Sequence, residues 1–228
     1  MAGPTQGTGR PRDADRARAA ILEAAEEVFA EDGFDGARVE AIARTAHYNS
    51  SLLFRYFGDK SSLYAEVLRR ADRELGALLA SRFAPLHEDA LVTRDLHHFR
   101  SFLRTTFGSI FDYMVEHPRF TRIVNWEQAE GWRTFAQIAP KFAPDDLARF
   151  EELFAKARAA GLLRSDLDVG AVVVLIAQLS WSTPAALPLY RLVSREGPPA
   201  SILSHIREQI LDVLVRGLTD SCDEQEGR

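Results

Sequence analysis

Cysteine, lysine and long hydrophobic runs are all scarce in this chain. Its 228 residues include one cysteine, Cys222, so no disulfide can form within the chain. That usage suits a reducing compartment. The longest apolar run, Val169 to Ala177, is too short to span a bilayer. Residues 1–20 lack an apolar core and carry Arg10, Arg12, Arg16 and Arg18, so no secretory signal is expected. A cytoplasmic protein is expected. Alternating polar and β-branched stretches, the mark of strands, are missing. Only Lys60, Lys141 and Lys156 are lysines among 28 basic residues, so an arginine here means nothing merely for being arginine.

What is present is a globular composition, 46% hydrophobic, enough to bury a real core and to exclude global disorder. The net charge of −5 argues, as a single number, against a nucleic-acid binder. Residues 1–14, rich in Gly, Pro and Thr, are expected to form a flexible arm, and 219–228 a polar, disordered tail. Between them the pattern is helical throughout. Ile21, Ala25, Val28 and Phe29 make one helix face, with Gly33 as C-terminal cap. Val39, Ile42 and Ala43, then Leu52, Leu53, Tyr56 and Phe57, mark two short helices separated at His47-Tyr48-Asn49. A longer helix follows from Lys60 to about Phe83. Further helices are expected at 91–117, 120–127, 145–160, 169–182 and 200–217, about nine or ten in all.

Helix, short helix, tight turn, short helix is the helix-turn-helix arrangement, whose second short helix enters the major groove. Ser50, Ser51, Arg55 and Tyr56 put hydroxyls and a guanidinium on that helix, within reach of base edges or phosphates. Lys60 suits a backbone phosphate, and Arg10, Arg12 and Arg16 an adjacent groove. Periodicity alone leaves this reading level with a second one, a small packed core that carries a few basic groups.

The stretch from Arg18 to Leu68 resembles the DNA-binding domain of the TetR family of transcriptional regulators. The resemblance rests on Ile21-Leu22, Ala25, Phe29, Gly33-Phe34, Val39, Ile42-Ala43, Ala46, Leu53, Tyr56-Phe57, Lys60 and Leu63-Tyr64. It implies an all-α fold with the reading domain at 15–62. A helical regulatory domain at 63–218 would bind a small molecule and form a homodimer. This chain departs from the family at three points. Ala37-Arg38 replaces the usual Ser or Thr N-cap, leaving Arg38 as an alternative phosphate contact. His47 stands where the turn usually has Gly, which requires a left-handed residue or a shifted turn. Phe54 replaces a tyrosine. Charge mapped along the chain removes the objection from its total. Residues 19–37 carry six acids and no Lys or Arg, whereas 38–70 carry six bases and three acids.

In the C-terminal part, Phe102, Phe107, Ile110, Phe111 and Met114, with Thr106 as a polar anchor, can line an apolar cavity. Trp126, Trp132, Gln178 and Trp181 can complete it. Taken singly, each of these side chains is better explained as ordinary core. As a group they favour an apolar or aromatic ligand. The dimer surface is expected on the helices at 145–160 and 200–217. No enzymatic pattern stands out: His87-Glu88 lacks a second histidine at zinc-protease spacing, and no nucleophile–base pair is evident. No cofactor and no metal are expected. The function implied is a repressor released from a palindromic operator by ligand. The alternatives are a regulator of the same fold that lacks a ligand or activates transcription, and a helical adaptor that no longer binds DNA.

Overall fold

The computed structural model describes residues 9–83, 95–138, 145–194 and 199–219, and within these the chain is helical and without strands. Eleven helices follow one another: α1 (Gly9–Gly36), α2 (Val39–Thr45), α3 (Ser50–Phe57), α4 (Lys60–Phe83), α5 (Leu96–Glu116), α6 (Pro118–Ala129), α7 (Arg133–Ile138), α8 (Asp145–Ala159), α9 (Val169–Ala185), α10 (Leu187–Ser194) and α11 (Pro199–Thr219). Residues 9–14, expected in the arm, form the start of α1, and residues 1–8 lie outside the described part. Of the expected tail, Thr219 is buried at the end of α11, and 220–228 lie outside the described residues. The helix expected at 169–182 runs on to Ala185, with Pro184 within its last turn. No single described helix is long and apolar enough to cross a membrane.

The chain divides into two compact units, Met1–Asp72 with Arg122–Lys141, and Arg73–Thr121 with Phe142–Arg228. The border expected after residue 62 thus falls at Asp72. Residues 122–141, expected in the regulatory part, belong to the first unit.

The first unit is organised around α1. Its buried face includes Ile21, Ala25, Val28 and Phe29, the stripe that the sequence spacing predicts, with Leu22 beside it. The helical ladder breaks at Gly33, whose φ of 69° and ψ of −178° suit a residue without Cβ. Ile42, Ala43, Leu53, Phe57, Leu63 and Tyr64 are buried from the following helices, and α1 contacts both α2 and α3. Helices as short as α2 and α3 are unstable alone, so this burial is what keeps them folded.

In the second unit α5 packs against both α9 and α11. Phe99, Leu103, Phe107, Ile110, Phe111, Tyr113 and Met114 are all buried, as expected for a helix apolar on most faces. Phe150, Phe154, Val172, Ile176, Leu211 and Leu214 complete the same core. Asp95 and Asp168 cap α5 and α9, each carboxylate accepting from the amide three residues on, at 2.9 and 2.7 Å.

Candidate nucleic-acid interface

The turn between α2 and α3 is built on His47, whose φ is 59°. Of the two expected solutions the chain adopts the left-handed residue. The turn is closed by Tyr48 N–H donating to Ala43 O at 3.0 Å. Asn49 then caps α3, its Oδ1 accepting from the Leu52 amide at 2.8 Å. That capping role passed unnoticed in the sequence, where Asn49 reads only as a helix break. Arg38 occupies the N-cap of α2 and makes no capping hydrogen bond through its side chain.

With Leu53 and Phe57 buried, α3 turns Ser51, Phe54 and Arg55 outward, while Ser50 and Tyr56 are half-buried. Phe54, at 46% exposure, is a large apolar ring on the outer face of α3. It was not among the expected contacts, because loss of a hydroxyl reads as loss of function when only polar contacts are sought.

Lys60 is drawn inward. Its ammonium donates to Ala37 O at 2.9 Å and Asp35 O at 3.4 Å, and lies 4.6 Å from the centre of the Phe34 ring. It therefore answers the carbonyls at the end of α1 and stacks a cation on an aromatic face. The other bases of the 38–70 segment also divide. Arg69 pairs with Glu66, and Arg70 pairs with Glu26 and, at 3.4 Å, Glu23. Arg18 bonds Glu66 at 2.9 Å and lies over Phe57. Part of the acid on α1 thus neutralises part of the base on α4, inside the unit. Arg38, Arg44 and Arg55 are the exposed ones.

The expected ligand residues are divided between the two units. Thr106, Phe107, Ile110, Phe111 and Met114 are buried in the second unit, where Phe102, Gln178 and Trp181 are half-buried. Thr106 Oγ1 is buried there with no hydrogen-bond partner. Trp126 and Trp132 belong to the first unit. The Trp126 indole donates to Ala30 O at 3.3 Å and lies against Gly33, where a Cβ would stand 3.0 Å from the ring. Beside it, Glu127 accepts from the Tyr64 hydroxyl at 2.6 Å and the Phe135 amide at 3.0 Å. Burial, and then the bond to Glu127, push the Tyr64 phenol up, which keeps it a donor. Glu127 left no trace in the sequence reading, since a lone acid in a polar stretch looks solvated.

Comparison with known proteins agrees with this architecture. Residues 21–67 match the model of bacterial regulatory proteins of the tetR family, and 100–217 match a tetracyclin repressor-like C-terminal domain. The transcriptional repressor NicS of Pseudomonas putida is 30% identical over 182 residues, covering 78% of this chain and 80% of that protein. A solved structure of the Streptomyces coelicolor transcriptional regulator SCO4942 is 27% identical with a TM-score of 0.60, over 88% of this chain and 97% of that one. The ketosteroid transcriptional regulator KstR2 of Mycobacterium tuberculosis shares the fold, with a TM-score of 0.61 at 23% identity over 94% and 97% of the two chains. A capped recognition helix on a buried three-helix scaffold, joined to a second helical unit and matched at both ends by family models, makes this chain a member of the TetR family of transcriptional regulators: a DNA-binding protein, not an enzyme.

Proposed function

We propose that this regulator is a homodimeric repressor that reads a palindromic operator with α3 and leaves it when a small apolar or aromatic ligand occupies the second unit. The observation that carries the reading is the outward face of α3. Ser51, Phe54 and Arg55 project from a helix capped by Asn49 and anchored by Leu53 and Phe57. Ser50, Tyr56 and His47 flank that face, and Arg38, with the remaining donor of Lys60, is assigned to phosphates.

Dimerisation is assigned to α9, α10 and α11. Val174, Leu175, Leu189, Leu192, Val193 and Val213 are between 48% and 78% exposed, an apolar surface suited to a second copy. The outward residues of α8, by contrast, include Glu151, Glu152 and Lys156. This favours α9 and α10 over the 145–160 helix as partner to α11.

For the ligand, the support is the apolar wall of α5 together with the unsatisfied hydroxyl of Thr106. Buried hydroxyls normally find a partner, and a ligand acceptor would supply one. Release requires that ligand bind the DNA-incompetent state more tightly than the competent one. The chain between residues 60 and 83, which joins the two units, is the proposed route.

The test is a duplex selected by the protein from a random library. A two-fold symmetric consensus is expected, with one dimer bound per site. Arg55→Ala should lower affinity and reduce the salt dependence by about one phosphate equivalent. Arg70→Ala, whose guanidinium is already paired with α1, should leave the salt slope unchanged. Equal slopes for all three proteins would overturn the assignment of Arg55.

A further inference from the structure

We infer that Glu127 is a positioning residue for DNA recognition: its buried carboxylate, gripped by the Tyr64 hydroxyl and the Phe135 amide, docks the α6–α7 corner onto the DNA-binding helices. The inference rests on the DNA-binding role of the first unit and adds a part to it that lies beyond the matched segment 21–67.

Glu127 is 2% exposed and is the one buried charged side chain among the described residues. No cation pairs with it there. Its two oxygens are divided between two neutral donors, one on α4 and one at the start of α7. The same corner is closed by the Trp132 amide, which donates to Glu127 O at 2.7 Å, and by consecutive left-handed residues, Gly131 at φ 72° and Trp132 at φ 60°. A bulky side chain in that region is strained, and such strain persists only where surrounding contacts over-determine it.

Burying a carboxylate with neutral partners is costly, and a leucine would pack at lower cost. What the carboxylate adds is direction. It accepts along fixed lines from both sides, so α6–α7 can seat in one register only. The consequences run straight to the reading apparatus. Tyr64 sits in an aromatic cluster, 4.8 Å from the Phe29 ring and 5.0 Å from Phe34. Phe34 in turn carries the Lys60 ammonium, which binds the carbonyls of Asp35 and Ala37 just before α2. Trp126, one residue from Glu127, covers the break at Gly33 and bonds Ala30. The corner therefore braces both the end of α1 and the first turns of α4, between which α2 and α3 are strung.

The experiment uses the full chain with Trp132→Phe and Trp181→Phe, leaving Trp126 as the sole reporter of docking. Tyr64→Phe and Glu127→Ala are expected to red-shift Trp126 emission and to weaken binding to the library-selected duplex at least tenfold, with helix content retained. Glu127→Gln keeps one acceptor for the Phe135 amide, and its amide group can donate to the tyrosine oxygen. It should recover most of the affinity and the emission, a rescue that a loss of bulk stability would not produce. If either disruptive variant fails to fold, Glu127→Gln against the parent decides: recovery supports the inference, and loss as deep as a tenfold drop overturns it. Affinity within twofold of the parent despite a red-shifted Trp126 overturns it, as does lost affinity with emission unmoved. A parent protein that retains no duplex at all would overturn the DNA reading itself, which is distinct from any difference between variants.

Discussion

The Arg207 guanidinium lies across Gly108, so closely that a Cβ there would collide with Nη2. From this position Arg207 on α11 donates through Nε and Nη2 to both oxygens of Asp112 on α5, at 2.6 and 2.7 Å. Glu208 takes a third bond at 2.6 Å. The glycine, unhelpful to a helix for its own sake, opens the notch through which the two helices are clamped.

Replacing Gly108 by alanine therefore sets two effects against each other. Helix propensity gains about 1 kcal/mol. The half-exposed bidentate pair, worth about 0.5–1 kcal/mol, is pushed off its seat, because the arginine end is flexible and swings away. Net stability should change by less than about 1 kcal/mol. The diagnostic is a double-mutant cycle on Asp112 and Arg207. Coupling present in the parent should vanish in the Gly108→Ala background. Undiminished coupling would mean that the notch is not needed.

His47 and Asn49 make opposite predictions two residues apart. Asn49→Ala removes the cap of α3 and should cost about 1 kcal/mol, lowering the melting temperature by roughly 2–4 °C for a chain of this size. His47→Gly relieves a left-handed backbone and should stabilise by a few tenths up to about 1 kcal/mol. A histidine that also touches DNA would show itself as lost affinity in the more stable variant. Calorimetry beside duplex titration separates the two quantities.

Acid should loosen α5 from its N-terminus. The backbone amide of His98, and then its ring, hold the Asp95 carboxyl below the usual aspartate value. A depressed folded value means that the contribution is complete above the unfolded value of about 3.9 and disappears as pH falls through the folded one. Carboxyl carbon NMR titration should place the Asp95 midpoint below that of an unstructured aspartate. In Asp95→Asn the amide oxygen still caps, and the acid-dependent part should be gone.

How much of this was legible in the residues depended on whether each contact was local. The stripe of α1, the short pair α2–α3 and the buried α5 follow from apolar spacing, since each helix displays its inward face at a period near 3.6. His47 was legible as a problem, because a left-handed turn without glycine must be met one way or the other. Lys60, Arg69 and Arg70 were legible as basic but not as engaged within the unit, because their partners are fixed only when α1, α2 and α4 meet. The contacts of Glu127 and Trp126 were hidden for the same reason, more strongly. The stretch around them is polar with scattered aromatics, and their partners, Tyr64 and Ala30, lie far back in the chain. The expectation of a ligand pocket at both tryptophans followed from their chemistry, whereas their place in the first unit depends on tertiary packing.

The return of residues 122–141 to the first unit also has a meaning in time. Helices α1 to α3 leave the ribosome before residues 122–141, yet two contacts that close their unit span 63 and 96 residues. Non-local contacts of that kind form late and slowly. A nascent chain ending before residue 122 would hold all of α1, α2 and α3 with Tyr64 and Gly33 still uncovered. Completion of the reading head then waits on the synthesis of a segment that the reading helices do not themselves contain.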